Sequence, residues 1–250
     1  MALKEELRTQ GDFLFKHRSY LPLVIIVVGI YVYVQNVLNS TITDSQQDDL
    51  FKLGCFLVCV LGLVIRMVAI GYSADNTSGR NTTVGQVADS VNSTGLYATV
   101  RHPLYVGNFF MWLGIAGFTQ EPWFIVAFVF MYWVYYERIM YAEEMFLIDT
   151  YGKEYVDWAA KTPAFIPAFS KWIKPKYTFS WRKIIRQEKA GILNMFLVVF
   201  AFEVIGASVA NKELSLGNVY WTYGFAASVA WYVIIKTIQK TTQVLSNDST

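Results

Sequence analysis

The stretch that decides the fold is residues 104–141, LYVGNFFMWLGIAGFTQEPWFIVAFVFMYWVYYERIMY. It holds two apolar runs, 104–118 and 122–141, separated only by residues 119–121. A segment that spans a bilayer needs about 20 mostly apolar residues and satisfies its own backbone polar groups as a helix. Because the connection is so short, we expect the two runs to form an antiparallel helical hairpin.

Further apolar segments lie on both sides of this hairpin, at 20–38, 50–72, 191–210 and 218–236. The chain is 54% hydrophobic and only 16% charged, whereas soluble domains carry roughly 25% charged residues. Its net charge of +2 argues against a nucleic-acid partner. The sequence therefore predicts an all-α, polytopic integral-membrane bundle of about six transmembrane helices, with the hairpin in its core.

The positions of lysine and arginine indicate the orientation. With the N-terminus inside, 18 of the 21 basic residues fall on the inner side, and both termini are cytoplasmic. Four segments are predicted. Residues 1–19 form an inner-side N-terminal segment, and 20–72 form the first two helices. Residues 73–190 form a core with a polar loop, the hairpin and an inner-side tail, and 191–250 carry two added helices. A bacterial inner membrane or the endoplasmic reticulum suits this bias. Glu203, inside the fifth span, is expected to make a buried polar contact.

Polar residues converge where the hairpin begins and ends. RHPLYVGN occupies 101–108 at the start of the third span, and Glu143-Glu144 follows the end of the fourth. A hairpin places these ends side by side at the inner surface. Arg66 lies about 9 Å from the inner end of the second span at 1.5 Å per residue, and Glu137 is at a similar depth. Three helices can thus assemble a polar pocket.

This order of motifs resembles one superfamily, the isoprenylcysteine carboxyl methyltransferases and phospholipid methyltransferases. The resemblance rests on RHPLYVGN, on Glu143-Glu144-x-x-Leu147, on YGKEY at 151–155 and on the prolines that follow. It implies methyl transfer from S-adenosylmethionine, held under inner-side cofactor loops, to an acceptor that enters from the bilayer. The residues that match the family's cofactor site are Tyr97, His102, Tyr105, Gly107, Glu143, Glu144 and Leu147. Arg66 resembles the family's arginine on the preceding helix.

The residue types suit that cofactor independently of the resemblance. Adjacent carboxylates, Glu143 and Glu144, match an ammonium group or a ribose diol, while Arg101 and His102 can donate to a carboxylate. Asn108 offers both a donor and an acceptor. No Gly-x-Gly-x-x-Gly string occurs, so a Rossmann-type site is not supported. With two cysteines and two histidines, the chain has too few ligands for a structural zinc site.

The chemistry favours an anionic acceptor. A phosphate or carboxylate arrives deprotonated, whereas an amine acceptor needs a general base. Arg66 or Arg138 would orient the acceptor, and Glu137 is the third candidate catalytic residue. A lipid phosphate or phospholipid head group is the first choice of acceptor, and an isoprenylated cysteine carboxylate is the second.

Two other classes remain open on the sequence alone. Membrane sterol-type reductases that use NADPH carry a similar string, usually Arg-His-Pro-Asn-Tyr with an acidic residue after the glycine. Leu104 and Asn108 occupy those places here. The third class is a non-enzymatic membrane bundle.

Overall fold

The computed structural model describes residues 2–18, 20–39, 46–74, 77 and 90–245. Within these ranges the fold is all-α, as predicted, and one isolated bridge joins Gly95 to Ile173. The helices are α1 (Leu3–His17), α2 (Leu21–Leu38), α3 (Gln46–Gly71), α4 (Leu96–Thr99), α5 (Pro103–Gly117), α6 (Pro122–Tyr151), α7 (Lys153–Ala159), α8 (Trp181–Asn211) and α9 (Val219–Thr241).

The predicted hairpin consists of α5 and α6. Each helix begins with a proline, a residue whose fixed φ and missing N–H suit the first helical position. The rings of Phe109 and Phe128 stack with centroids 6.2 Å apart. The hydroxyl of Tyr132 donates to the carbonyl of Tyr105 at 2.7 Å. In these two contacts the later residue of α5 pairs with the earlier residue of α6, so the two helices are antiparallel.

All six apolar segments are helical. Three stretches are long and apolar enough to cross a membrane, namely Asp48–Gly71, Pro122–Tyr151 and Trp181–Asn211. A fourth is reached if α1 and α2 together count as one broken span. Helix α5 has only 15 residues, short of the length that a full span needs. The number of six spans therefore stays a prediction.

The helices extend beyond the apolar runs in three places. Residues 3–17, expected only as an inner-side segment, form α1. Gly11 of this helix packs closely on α6, because an added Cβ would lie 2.7 Å from the Cβ of Ala142. Helix α6 continues to Tyr151, as the absence of Gly or Pro before Gly152 predicts. Helix α8 begins at Trp181, within the basic linker. Residues 78–89 of the polar loop, including Arg80, lie outside the described residues.

The fold divides into two compact units. The first contains Met1–Pro22, Ile65–Gly107 and Phe130–Ser180, and the second contains Leu23–Val64, Asn108–Val129 and Trp181–Thr250.

In the second unit α5 packs tightly on α3. A Cβ at Gly114 would lie 2.9 Å from the backbone nitrogen of Cys59, and one at Gly117 would lie 2.7 Å from Sγ of Cys55. The Cys59 thiol donates to the carbonyl of Met111 at 3.2 Å. Both cysteines are thus small packing residues, in agreement with their position in an apolar run.

The second unit also holds a buried charge network. The ammonium of Lys52 lies 2.8 Å from Asp48 and 3.1 Å from Glu203, and all three residues are buried. Glu203 also accepts the N–H of Asn218, at the start of α9. The expected buried polar contact of Glu203 is confirmed, and it joins α8 to α3.

Candidate active site

The site is built in the first unit around the residues that precede α5. The main-chain N–H groups of Arg101 and His102 donate to the carbonyls of Pro163 and Ala164, at 2.8 and 3.2 Å. Further along, the N–H of Ala168 donates to the carbonyl of Thr99 at 2.9 Å. Prolines cannot continue a helix, and the chain after α7 forms a series of bends beside residues 99–102 that fixes their backbone.

One carboxylate oxygen holds both cationic side chains of the motif. Oε1 of Glu144 accepts from Nε of Arg101 at 2.8 Å and lies 2.9 Å from Nε2 of His102. The guanidinium of Arg101 also donates to the carbonyls of Ala159 and Thr162, each at 2.8 Å. Because these bonds fix the guanidinium in one orientation, Arg101 links the end of α6 to the segment after α7.

The imidazole of His102 lies between two carboxylates. Its Nδ1 is 3.3 Å from Oε2 of Glu143, on the side opposite the contact with Glu144. Burial disfavours the charged ring, but the hydrogen bonds and negative charges of the two glutamates outweigh that effect and raise the pKa of His102 above its usual 6.5. With an acceptor at each nitrogen, the protonated ring satisfies both contacts.

Aromatic rings continue from His102 along α5 and α6. The imidazole stacks on Tyr105 at a centroid distance of 5.6 Å, and Tyr105 contacts Tyr136 at 4.9 Å. Tyr136 in turn stacks on Tyr132 at 4.1 Å. Such faces can stabilise a cationic ligand when one lies over them.

Tyr97 and Arg66 lie near the same carboxylates. Burial raises the pKa of the Tyr97 hydroxyl, the charge of Glu143 raises it further, and the charge of Arg66 opposes this rise. The charge of Arg66 therefore acts on Tyr97. The structure brings together the side chains of Arg66, Tyr97, Arg101, His102, Tyr105, Glu143 and Glu144.

The other predicted residues are placed differently. Nε of Arg138 binds the amide oxygen of Gln10 on α1 at 2.9 Å, and Glu137 is exposed on α6. Leu147 is half-buried one turn after Glu143. Gly107 and Asn108 are neighbours on α5, and the boundary between the two units falls between them.

Sequence reasoning missed two polar groups of α7. The hydroxyl of Tyr155 and the indole N–H of Trp158 are buried and have no hydrogen-bond partner among the described residues. The charges of Glu144, Arg101 and Glu143 all act on Tyr155. Tyr155 belongs to the YGKEY motif and could have been chosen, whereas no sequence signal marks Trp158.

Comparisons with known proteins match one family model and several relatives. The family model "Phospholipid methyltransferase" matches residues 51–154. A "Protein-S-isoprenylcysteine O-methyltransferase" of Saccharomyces cerevisiae is 30% identical over 46% of this chain and 48% of its own length. The protein of that name from Tribolium castaneum is 32% identical over 44% of this chain and 39% of its own length.

The chain covers a larger share of the length of a third relative. The "Nickel-cobalt-cadmium resistance protein NccN" of Alcaligenes xylosoxydans xylosoxydans is 32% identical over 64% of this chain and 68% of its own length. The chain spans about half or less of the length of the yeast and beetle proteins. No solved structure matches the chain. The motifs, the helical fold and these relatives together show that the chain belongs to the superfamily of isoprenylcysteine and phospholipid methyltransferases.

Proposed function

We propose that the chain is a membrane-embedded methyltransferase that moves a methyl group from S-adenosylmethionine to a lipid or lipidated acceptor. The observation that carries this proposal is the cluster of Arg101, His102, Glu143 and Glu144 at the inner end of the α5–α6 hairpin. It brings anionic, cationic and aromatic groups to one place in a chain rich in apolar helices. Both termini are expected on the cytoplasmic side, in a bacterial inner membrane or the endoplasmic reticulum.

The residues present fit the donor. S-adenosylmethionine carries an ammonium, a carboxylate, a diol and an adenine, and it supplies an electrophilic methyl group on its sulfonium. The orphaned hydroxyl of Tyr155 and N–H of Trp158 are buried polar atoms that a ligand of this kind would satisfy. Glu143 and Glu144, each about three-quarters buried or more, suit its cationic and hydroxyl groups.

The state of His102 argues for an anionic acceptor. A general base needs a free lone pair, but both ring nitrogens of His102 contact carboxylates, and its pKa is raised. A phosphate or carboxylate oxygen attacks without losing a proton. The protein then has to align the two reactants and exclude water, and we assign the orienting of the acceptor to Arg66, whose charge acts on Tyr97.

Two anionic acceptors fit this chemistry. The first is a lipid phosphate or phospholipid head group, and the name of the family model specifies a phospholipid but no acceptor atom. An isoprenylated cysteine carboxylate agrees with the names of the yeast and beetle relatives. Both carry a long apolar group that would reach the site from the bilayer.

The test is to incubate membranes that contain the chain with tritiated S-adenosylmethionine and to identify the labelled species by mass spectrometry. Label on a lipid phosphate supports the first acceptor, and a base-labile methyl ester on a prenylated peptide supports the second. Label on an amine contradicts the argument from His102. The variant Glu144→Gln is expected to lose label, and Glu213→Gln, an exposed change after the end of α8, is the matched control.

A further inference from the structure

The segment that fixes the Arg101–His102 backbone also presents an apolar face of its own. We call residues 163–180 the proline segment. Four of its large apolar residues are at least half exposed: Ile166, Phe169, Trp172 and Ile173. Soluble surfaces rarely expose so many large apolar side chains in one short stretch, and such patches mark contacts with a partner or a membrane.

The proline segment is held in place at both ends. Its backbone receives the N–H groups of Arg101, His102 and Gly95, the last through the carbonyl of Ile173 at 2.9 Å. Near its end the N–H of Ser180 donates to the carbonyl of Gly71 at 3.0 Å, and Phe179 packs on Tyr72 at 4.8 Å. The exposed apolar side chains thus project from an anchored backbone.

The charged residues within and just before this segment are all positive. Residues 158–180 contain no Asp or Glu. Lys161, Lys171, Lys174 and Lys176 are all exposed. Lysines beside exposed Trp and aliphatic side chains form the pattern that partitions into the head-group layer of an anionic membrane. A protein partner would have to supply both an apolar and an acidic surface.

We propose that the proline segment is a membrane-docking surface whose apolar side chains insert between the head groups of anionic lipids. The occupant is an anionic lipid surface, because the segment adjoins apolar helices in a membrane chain and carries only positive charge. This inference goes beyond the proposed reaction and does not depend on which acceptor is methylated. It also gives the backbone that supports Arg101 and His102 a second contact, with the bilayer itself.

The test places an environment-sensitive fluorophore on single cysteines introduced as Phe169→Cys and Lys153→Cys, in a chain with Cys55→Ser and Cys59→Ser. Lys153 has a highly exposed side chain on α7 and serves as the matched control. Each labelled chain is reconstituted in nanodiscs of phosphatidylcholine alone or with equal parts of phosphatidylglycerol. Nitroxide-bearing phospholipid and aqueous iodide are the two quenchers.

At position 169 we expect nitroxide lipid to quench roughly twofold or more strongly than at position 153, and phosphatidylglycerol to strengthen that quenching. Replacement of Lys171, Lys174 and Lys176 by serine is expected to remove the effect of phosphatidylglycerol. Equal quenching by nitroxide lipid at both positions would overturn the proposal. So would a probe at 169 shielded from both quenchers, since protein would then cover the surface. The readout needs no methyl donor, so it can fail while the proposed reaction stands.

Discussion

The hydroxyl of Tyr132 on α6 donates a 2.7 Å hydrogen bond to the backbone carbonyl of Tyr105 on α5. Tyr105 follows His102 by one helical turn, and its ring stacks on the imidazole. The bond therefore ties the middle of one helix of the hairpin to the beginning of the other, next to the candidate site. Because both residues are buried, water does not compete for this bond.

Replacement of Tyr132 by phenylalanine should lower the free energy of unfolding by about 1 kcal/mol, the usual net value of such a bond. Tyr135→Phe is the matched control, since the Tyr135 hydroxyl is buried without a partner among the described residues. Its loss should be neutral or slightly stabilising. Thermal unfolding of both variants in the same detergent measures the difference, and equal melting temperatures would contradict the assignment.

Replacement of Glu144 by glutamine should weaken donor binding roughly tenfold or more. The neutral amide keeps the size of the side chain but loses two charge-assisted bonds, each worth about 1.5–3 kcal/mol, and leaves Arg101 and His102 without this counter-charge. Calorimetric titration with S-adenosylhomocysteine measures the change in affinity. Glu213→Gln should bind like the parent, and an unchanged affinity in Glu144→Gln would refute the role given to Glu144.

The raised pKa of His102 makes stability depend on pH with a defined sign. The charged ring is favoured by folding, so its contribution is fully present below pH 6.5, the unfolded value, and is lost as the pH rises through the higher folded value. The difference in melting temperature between the parent and His102→Asn should therefore shrink as the pH is raised above neutrality. A difference that grows with pH would indicate a neutral ring.

Close packing of α5 on α3 predicts opposite effects on stability when alanine replaces each of two glycines. Gly114→Ala forces a methyl group against the backbone of Cys55 and Cys59, and overpacking of this kind costs about 1–3 kcal/mol. A Cβ at Gly54, also within a helix, meets no atom within 4 Å, so Gly54→Ala should be neutral or stabilising through helix propensity. Melting temperatures of the two variants provide the comparison.

Because the Tyr155 hydroxyl has no hydrogen-bond partner among the described residues, its removal tests ligand binding separately from folding. Tyr155→Phe removes no bond found among the described residues, so the melting temperature without ligand should not fall. If the hydroxyl binds the donor, affinity for S-adenosylhomocysteine should drop severalfold. A loss of stability with unchanged affinity would assign the hydroxyl to the protein's own structure.

Much of the fold could be predicted because the bilayer imposes a simple rule. Long apolar runs must be helical, and the prediction of helices at all six segments is confirmed. The N-terminal helix was missed because α1 is largely polar, and it is held by tertiary contacts, such as the ion pair of Arg8 with Asp149 on α6 at 2.6 Å. The start of α8 was placed too late because its first turns are basic although Ile184 is buried.

The candidate site was predictable where neighbouring residues share a motif. The spacing of His102 and Glu144 across a hairpin suffices to bring them together. The partners of Arg101 on the segment after α7 are backbone carbonyls, which every residue carries and no pattern marks. Arg138 was a candidate as a cation at the end of the fourth span; its Nε binds Gln10 on α1, and its role toward an acceptor stays a prediction.

The Lys52–Glu203 contact makes the last two helices part of the packed fold. Loss of the Glu203 carboxylate would leave the ammonium of Lys52 buried beside Asp48 with half of its counter-charge gone, and a buried cation deprived of a partner is strongly destabilising. Helices α8 and α9 are therefore not a detachable appendage.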